Sequence, residues 1–159
     1  MSPRDKATKE FLDSILASMD EGLLTIDREA RITSFNRAAE KITGYRAEEV
    51  LNRKCYHVLK GSLCRGKCRR MMTLETGQSM FNDEAFITHK NGSQIPVDIT
   101  TSPLRNQDDQ IIGLLEIITD LTERKRLWER LKREKEKAQQ YLSIARVIIL
   151  ALDLEGIVT

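Results

Sequence analysis

Ile111-Ile112-Gly113-Leu114-Leu115-Glu116-Ile117-Ile118-Thr119-Asp120-Leu121-Thr122-Glu123 is the stretch where a strand runs directly into a long charged helix. Ile111, Ile112, Leu114, Leu115, Ile117 and Ile118 form an almost continuous apolar run rich in β-branched residues. Such a run predicts a central strand buried on both faces. Asp120 can accept from the free amides of a following first turn, and Glu123, three residues on, can reach back. From Leu121 the apolar period changes from sheet to helix. The junction reads as an output point, with a sensor before it and a transmission rod after it.

Downstream, a heptad runs through Leu121, Arg124, Trp128, Leu131, Lys135, Ala138, Leu142 and Ala145, mostly apolar and flanked by charge. This favours a coiled-coil linker over residues 121–146 that pairs two chains, ahead of a single helix folded back on its own domain. Segment Leu121 to Gln140 carries eight Lys or Arg against four Glu, which reads as a solvated face rather than a nucleic-acid patch.

Upstream, Phe11, Ile15, Leu16 and Met19 recur at helical spacing and make residues 1–20 a helical lead-in, with polar Met1 to Glu10 expected to fray. Leu23 to Asp27 and Arg31 to Phe35 read as a hairpin around a tight turn. Asn36 is an N-cap for Arg37 to Thr43, and Gly44 takes the left-handed position after it. Ala47 to Leu51 and Cys68 to Glu75 are further short helices. Phe81 to Thr88 and Gln94 to Ser102 flank Asn91-Gly92, a type I′ hairpin signal. Asn106 to Gln110 then turns into the final strand. Two strands, a few short helices and three strands predict an α+β domain over residues 21–120 with an antiparallel sheet.

The chain has 159 residues and 40% hydrophobic content, enough for one core plus an appendage. Its net charge of +2 balances 26 basic and 24 acidic side chains and gives no argument for nucleic acid. No apolar run is long enough for a membrane span, and no signal-peptide core is present, so a soluble cytoplasmic protein is expected. Val147 to Thr159 mirrors Glu21 to Thr33 without a gap, pairing Leu24, Asp27, Glu29 and Thr33 with Leu150, Asp153, Glu155 and Thr159. Residues 147–159 therefore read as the start of a second copy of the domain, with Ile148, Ile149 and Leu150 as strand residues.

The pattern resembles the PAS domain family. The residues that carry the resemblance are Gly22 to Asp27, Ile32 to Asn36, Ala39, Thr43-Gly44-Tyr45 and Glu48 to Leu51, then His89 to Ser93, Val97, Gly113 and the exit motif Asp120-Leu121-Thr122. It covers about Phe11 to Thr122 and implies a five-stranded antiparallel sheet with short helices on one face, a small pocket, and a long C-terminal signalling helix. It also implies flanking helices that form a homodimer, and an output module beyond this sequence: a histidine kinase of a two-component system, a cyclic-dinucleotide enzyme or a transcriptional regulator. Within the chain the exit motif, Asp120 and Thr122, would couple sheet to helix. Ile42, Val50, Ile99 and Leu115 are pocket candidates that core packing explains equally well.

Cys55, Cys64 and Cys68, with His57 nearby, supply soft and borderline donors suited to zinc or iron–sulfur iron. Lys54, Arg65, Lys67, Arg69 and Arg70 are expected to lower the thiol pKa values. The spacing matches no standard finger or ferredoxin pattern, so a disulfide redox switch, a metal or cluster site, and structural cysteines all stay open. Cys55 falls near the adduct-forming cysteine of flavin-binding relatives, but Lys54, Tyr56 and Leu59 replace the expected flavin contacts. Neither flavin nor haem is expected. The leading expectation is a non-enzymatic sensor of a small ligand or redox state. The alternative is a ligand-free dimerisation module. No nucleophile–base or paired-carboxylate constellation suggests catalysis.

Overall fold

The computed structural model describes residues 3–64 and 68–154. In chain order it contains α1 (Pro3–Ser18), β1 (Gly22–Asp27), β2 (Ile32–Phe35), α2 (Arg37–Thr43), α3 (Ala47–Val50), α4 (Cys55–Leu59), a 3₁₀ turn (Ser62–Cys64), α5 (Arg69–Thr76), β3 (Met80–Thr88), β4 (Gln94–Arg105), β5 (Ile111–Asp120) and α6 (Thr122–Leu154). Two compact units result, Met1–Leu121 and Thr122–Thr159.

The five strands are antiparallel in the order β2-β1-β5-β4-β3, so β5 is central. It is not buried on both faces as expected. Leu114, Glu116 and Ile118 are buried, whereas Leu115, Ile117 and Thr119 are only half-buried and Ile112 is 47% exposed. Alternation has replaced the continuous run, because the short helices α2, α3 and α4 pack into the core on one side of the sheet. That side joins Leu24, Ile26, Val97, Ile99, Leu114 and Ile118 to Ile42 of α2, Val50 of α3 and Val58 and Leu59 of α4 in one core.

The three hairpins share one turn design. In Asp27–Arg31, His89–Ser93 and Asn106–Gln110 the first residue's amide bonds the fifth residue's carbonyl, and the fourth residue's amide bonds the first residue's carbonyl. The fourth residue is left-handed in each: Ala30 (φ 64°), Gly92 (φ 91°) and Asp109 (φ 62°). Asn91 is not left-handed, so the Asn91-Gly92 turn is a type I turn closed by a left-handed residue and not type I′. Asp27 and Asn106 brace their turns by accepting amide bonds on Oδ1.

Asn36 caps α2 by accepting from the Ala39 amide at 2.9 Å. The same oxygen accepts from Leu23 N, while its Nδ2 donates to the carbonyls of Leu16 and Glu21. One buried side chain thus ties the end of α1, the start of β1 and α2 together. Gly44 ends α2 at φ 76°, and a Cβ there would lie 2.3 Å from Nε2 of His89, so only glycine fits.

Two further expectations are corrected. Pro3 to Glu10 belong to α1, and Met1 and Ser2, also expected to fray, lie outside the described residues. Residues 148–150 are helical and not strand, because α6 runs on to Leu154. Ile149 is the next heptad position after Ala145, so the helical period continues through these residues. Glu155 to Thr159 lie outside the described residues.

Candidate functional site

Glu116 is the one charged residue in the apolar run of β5, and alternation turns it to the helix-covered side between Leu114 and Ile118. Its side chain is fully buried. Arg70, in the first turn of α5, meets it from the opposite layer: Nε bonds Oε1, and Nη2 donates to Oε2 at 3.0 Å. A cation in a helix's first turn opposes the helix dipole, so Arg70 owes its position to this carboxylate. Thr101 sits directly opposite Glu116 in the β4–β5 register and donates to Oε1 at 3.4 Å. The remaining edge of the guanidinium donates from Nη1 to Cys64 Sγ at 3.6 Å.

Burial works against the charge of Arg70, but the adjoining Glu116 carboxylate overrides it and holds the guanidinium pKa well above its ordinary value. A bidentate pair is what makes two buried charges tolerable. One turn along α5, Thr73 is fully buried and its Oγ1 finds no hydrogen-bond partner among the described residues. The polar cluster therefore lies inside an apolar core and is not fully self-satisfied.

Cys55 lies on the inner side of α4 and is 1% exposed, whereas Cys64 and Cys68 are half-buried. All three are free thiols. Burial pushes the Cys55 thiol up to about 11; Arg70 pulls it down, and Glu116, Cys64 and Cys68 push it further up. The expected lowering by basic neighbours is overturned for Cys55, because desolvation outweighs the nearby cation. Lys54 is spent on the Glu29 carbonyl, and Arg65 and Lys67 lie outside the described residues. His57 is exposed and packs edge-on against Tyr56, with ring centroids 4.4 Å apart. Among the described residues no three Cys, His, Asp or Glu side chains are arranged to hold a metal ion. Cys55 and Cys64 act electrostatically on Arg70, and Cys64 and Cys68 act on Cys55.

Of the pocket candidates, Ile42, Val50 and Ile99 converge in the core. Leu115 does not; it belongs to the opposite face of β5, one residue out of phase with Leu114 and Glu116. Asp120 ends β5 opposite Val97 and Thr122 opens α6. Between them the Leu121 amide donates to the Pro96 carbonyl at 2.9 Å. Sequence reading missed Glu116, Thr101 and Thr73, and noted Arg70 only as a neighbour of the cysteines. The available signal was a lone carboxylate in an apolar strand, in phase with two core residues.

Comparison with known proteins agrees with this architecture. Residues 20–123 match the PAS domain family. The chain is 29% identical over 126 residues to the signal transduction histidine-protein kinase AtoS of Escherichia coli (strain K12), and 28% identical over 129 residues to the probable diguanylate cyclase DgcE of the same organism. These alignments cover 79% and 77% of this chain but only 20% and 11% of those proteins. The crystal structure of a PAS domain from Colwellia psychrerythraea superposes with a TM-score of 0.62 at 17% identity, covering 73% of this chain and 98% of that one. With the matched residues spanning every strand of the sheet, the chain belongs to the PAS domain family and carries a sensory domain of the kind found in histidine kinases and diguanylate cyclases.

Proposed function

We propose that this chain is the sensory part of a bacterial signal-transduction protein, of the histidine kinase or transcriptional-regulator type, acting in the cytoplasm. The domain responds to a small ligand or to redox state at the Arg70–Glu116 cluster. It transmits through α6, which pairs two chains as a coiled coil. The observation that carries the reading is the buried ion pair: its carboxylate lies on β5, four residues before Asp120. A change at Arg70 therefore acts on the strand that ends in the exit motif. Among the described residues no helix is long and apolar enough to cross a membrane.

Asp120 and Thr122 are the proposed coupling residues. A cap is worth about 1 kcal/mol, similar to allosteric coupling energies of roughly 1–3 kcal/mol. With a kinase or cyclase output joined in register after α6, Asp120→Ala should leave the domain folded, at a cost of no more than about 1 kcal/mol, and abolish the stimulus dependence of the output. An unaltered response would refute the coupling role. The second reading is a dimerisation module with no ligand, favoured by the close packing of Val50 and Ile99 at 0% and 1% exposure. Native mass spectrometry of the chain purified from cells separates a ligand sensor, which carries added mass, from a dimerisation module, which does not, and thiol oxidation by peroxide separates the redox form from both.

A further inference from the structure

The Arg70 guanidinium is held by a carboxylate on two of its nitrogens and by a thiol on the third. Those partners differ greatly in strength. Charge-assisted bonds to a carboxylate are strong, whereas sulfur is a weak acceptor. Cys64 is also half-buried and so open to small solutes, unlike Cys55. We propose that Cys64 is an oxidation site, where a peroxide converts the thiol to a sulfenic acid whose oxygen competes with Glu116 for Arg70. This rests on the redox form of the sensory reading above and identifies the group that is modified.

The step balances without a metal or cofactor. The Cys64 sulfur attacks one peroxide oxygen, an S–O bond forms as the O–O bond breaks, and the thiol proton leaves with the departing oxygen as water or an alcohol. Sulfur is oxidised by two electrons and the peroxide is reduced by two. The new oxygen is a harder, stronger acceptor than the sulfur it extends, and it is introduced beside Nη1. Drawing the guanidinium toward Cys64 loosens its grip on Glu116, which is hydrogen-bonded within the sheet opposite Leu24 and Thr101. Cys68, also half-buried and at the N-cap of α5, is the thiol that would consume the sulfenic acid as a disulfide, losing water. Cellular thiols then reverse either product.

The test treats the intact chain with hydrogen peroxide, traps with dimedone and maps the modified peptide. The expected result is a dimedone adduct on Cys64, in the wild type or in Cys68→Ser, where no second half-buried thiol competes. It should be lost in Cys64→Ser. Amide hydrogen exchange at Ile117, Ile118 and Thr119 should then rise by about fivefold or more on oxidation of the wild type and stay constant in Cys64→Ser, fivefold being the low end of a typical coupling. No adduct on Cys64 in either protein, an adduct on Cys68 alone, or unchanged exchange in β5 after complete oxidation would overturn the proposal. None of those outcomes touches the Asp120→Ala test, so the sensory reading stands or falls separately.

Discussion

The sheet domain and α6 break the ordinary patterning of a soluble protein in opposite directions. The domain places a full ion pair among Leu24, Ile99 and Ile118, where apolar residues would pack without a desolvation cost. In α6 the reverse holds: Leu127, Trp128, Leu131, Tyr141 and Leu142 are 62% to 71% exposed, where charged residues would serve solubility. Departures from local rules concentrate at functional positions. One region holds a buried charge pair, and the other presents apolar surface that a single chain leaves exposed.

The largest effect should come from splitting the pair. Arg70→Ala or Glu116→Ala leaves a buried uncompensated charge and should cost about 3–5 kcal/mol, read as a lowered urea midpoint. The double variant Arg70→Met/Glu116→Leu should recover most of that loss, because hydrophobic replacement of a buried pair is often neutral. A stable double variant with no response would show that the pair is kept for signalling. A double variant as unstable as the singles would make it structural, and the contrast with α6 would dissolve.

Cys55 gives the next effect, through pH. Its folded thiol pKa is about 11 against an ordinary 9.0, so the folded state holds the proton more tightly. The stability this contributes is fully present below pH 9 and is lost as pH rises through 11. Two pKa units correspond to about 2–3 kcal/mol. Unfolding free energy should therefore fall more steeply between pH 9 and 11 in the wild type than in Cys55→Ala. Parallel slopes would place the thiol in contact with solvent.

Asn36→Ala should cost about 1–2 kcal/mol, the high end for a lost cap, since the amide also serves Leu23, Leu16 and Glu21. Hydrogen exchange should localise the loss to the α1 end, the start of β1 and α2. A loss spread evenly over the sheet would contradict its role as a local tie.

What could be read from sequence was local. Asn36 and Gly44 announce the ends of α2 because caps depend on a few neighbouring residues, and the strands and their hairpin turns follow for the same reason. Phase and pairing were harder. The apolar run from Ile111 to Ile118 conceals which residues face inward, so the sequence alone puts Leu115 on the wrong side and hides Glu116. Arg70 and Glu116 lie 46 positions apart, and only the packing of α5 on the β4–β5 register brings them together. Residues 147–154 resemble part of residues 21–33 in side chains yet continue the heptad of α6, so similarity of side chains alone does not fix a strand.

The smallest expected effect on the domain comes from α6, and that smallness is the point. Leu131 and Leu142 occupy seam positions and are 70% and 71% exposed in the single chain. Replacing both with Asp removes no buried contact, so the domain's unfolding free energy should stay within about 0.5 kcal/mol of wild type. The same change puts like charges into the seam of a two-stranded coil, where a charge loses its water and faces its own copy. Sedimentation should accordingly shift from dimer to monomer. Trp128, the only tryptophan of the chain, reports the same event: it is 63% exposed, with Lys132 Nζ 5.6 Å from its ring centroid, and pairing of two chains should blue-shift its emission in the wild type relative to the variant. If the variant lowered domain stability by several kcal/mol instead, the helix would be packing partner and not rod, and its apolar surface would need no second chain to explain it.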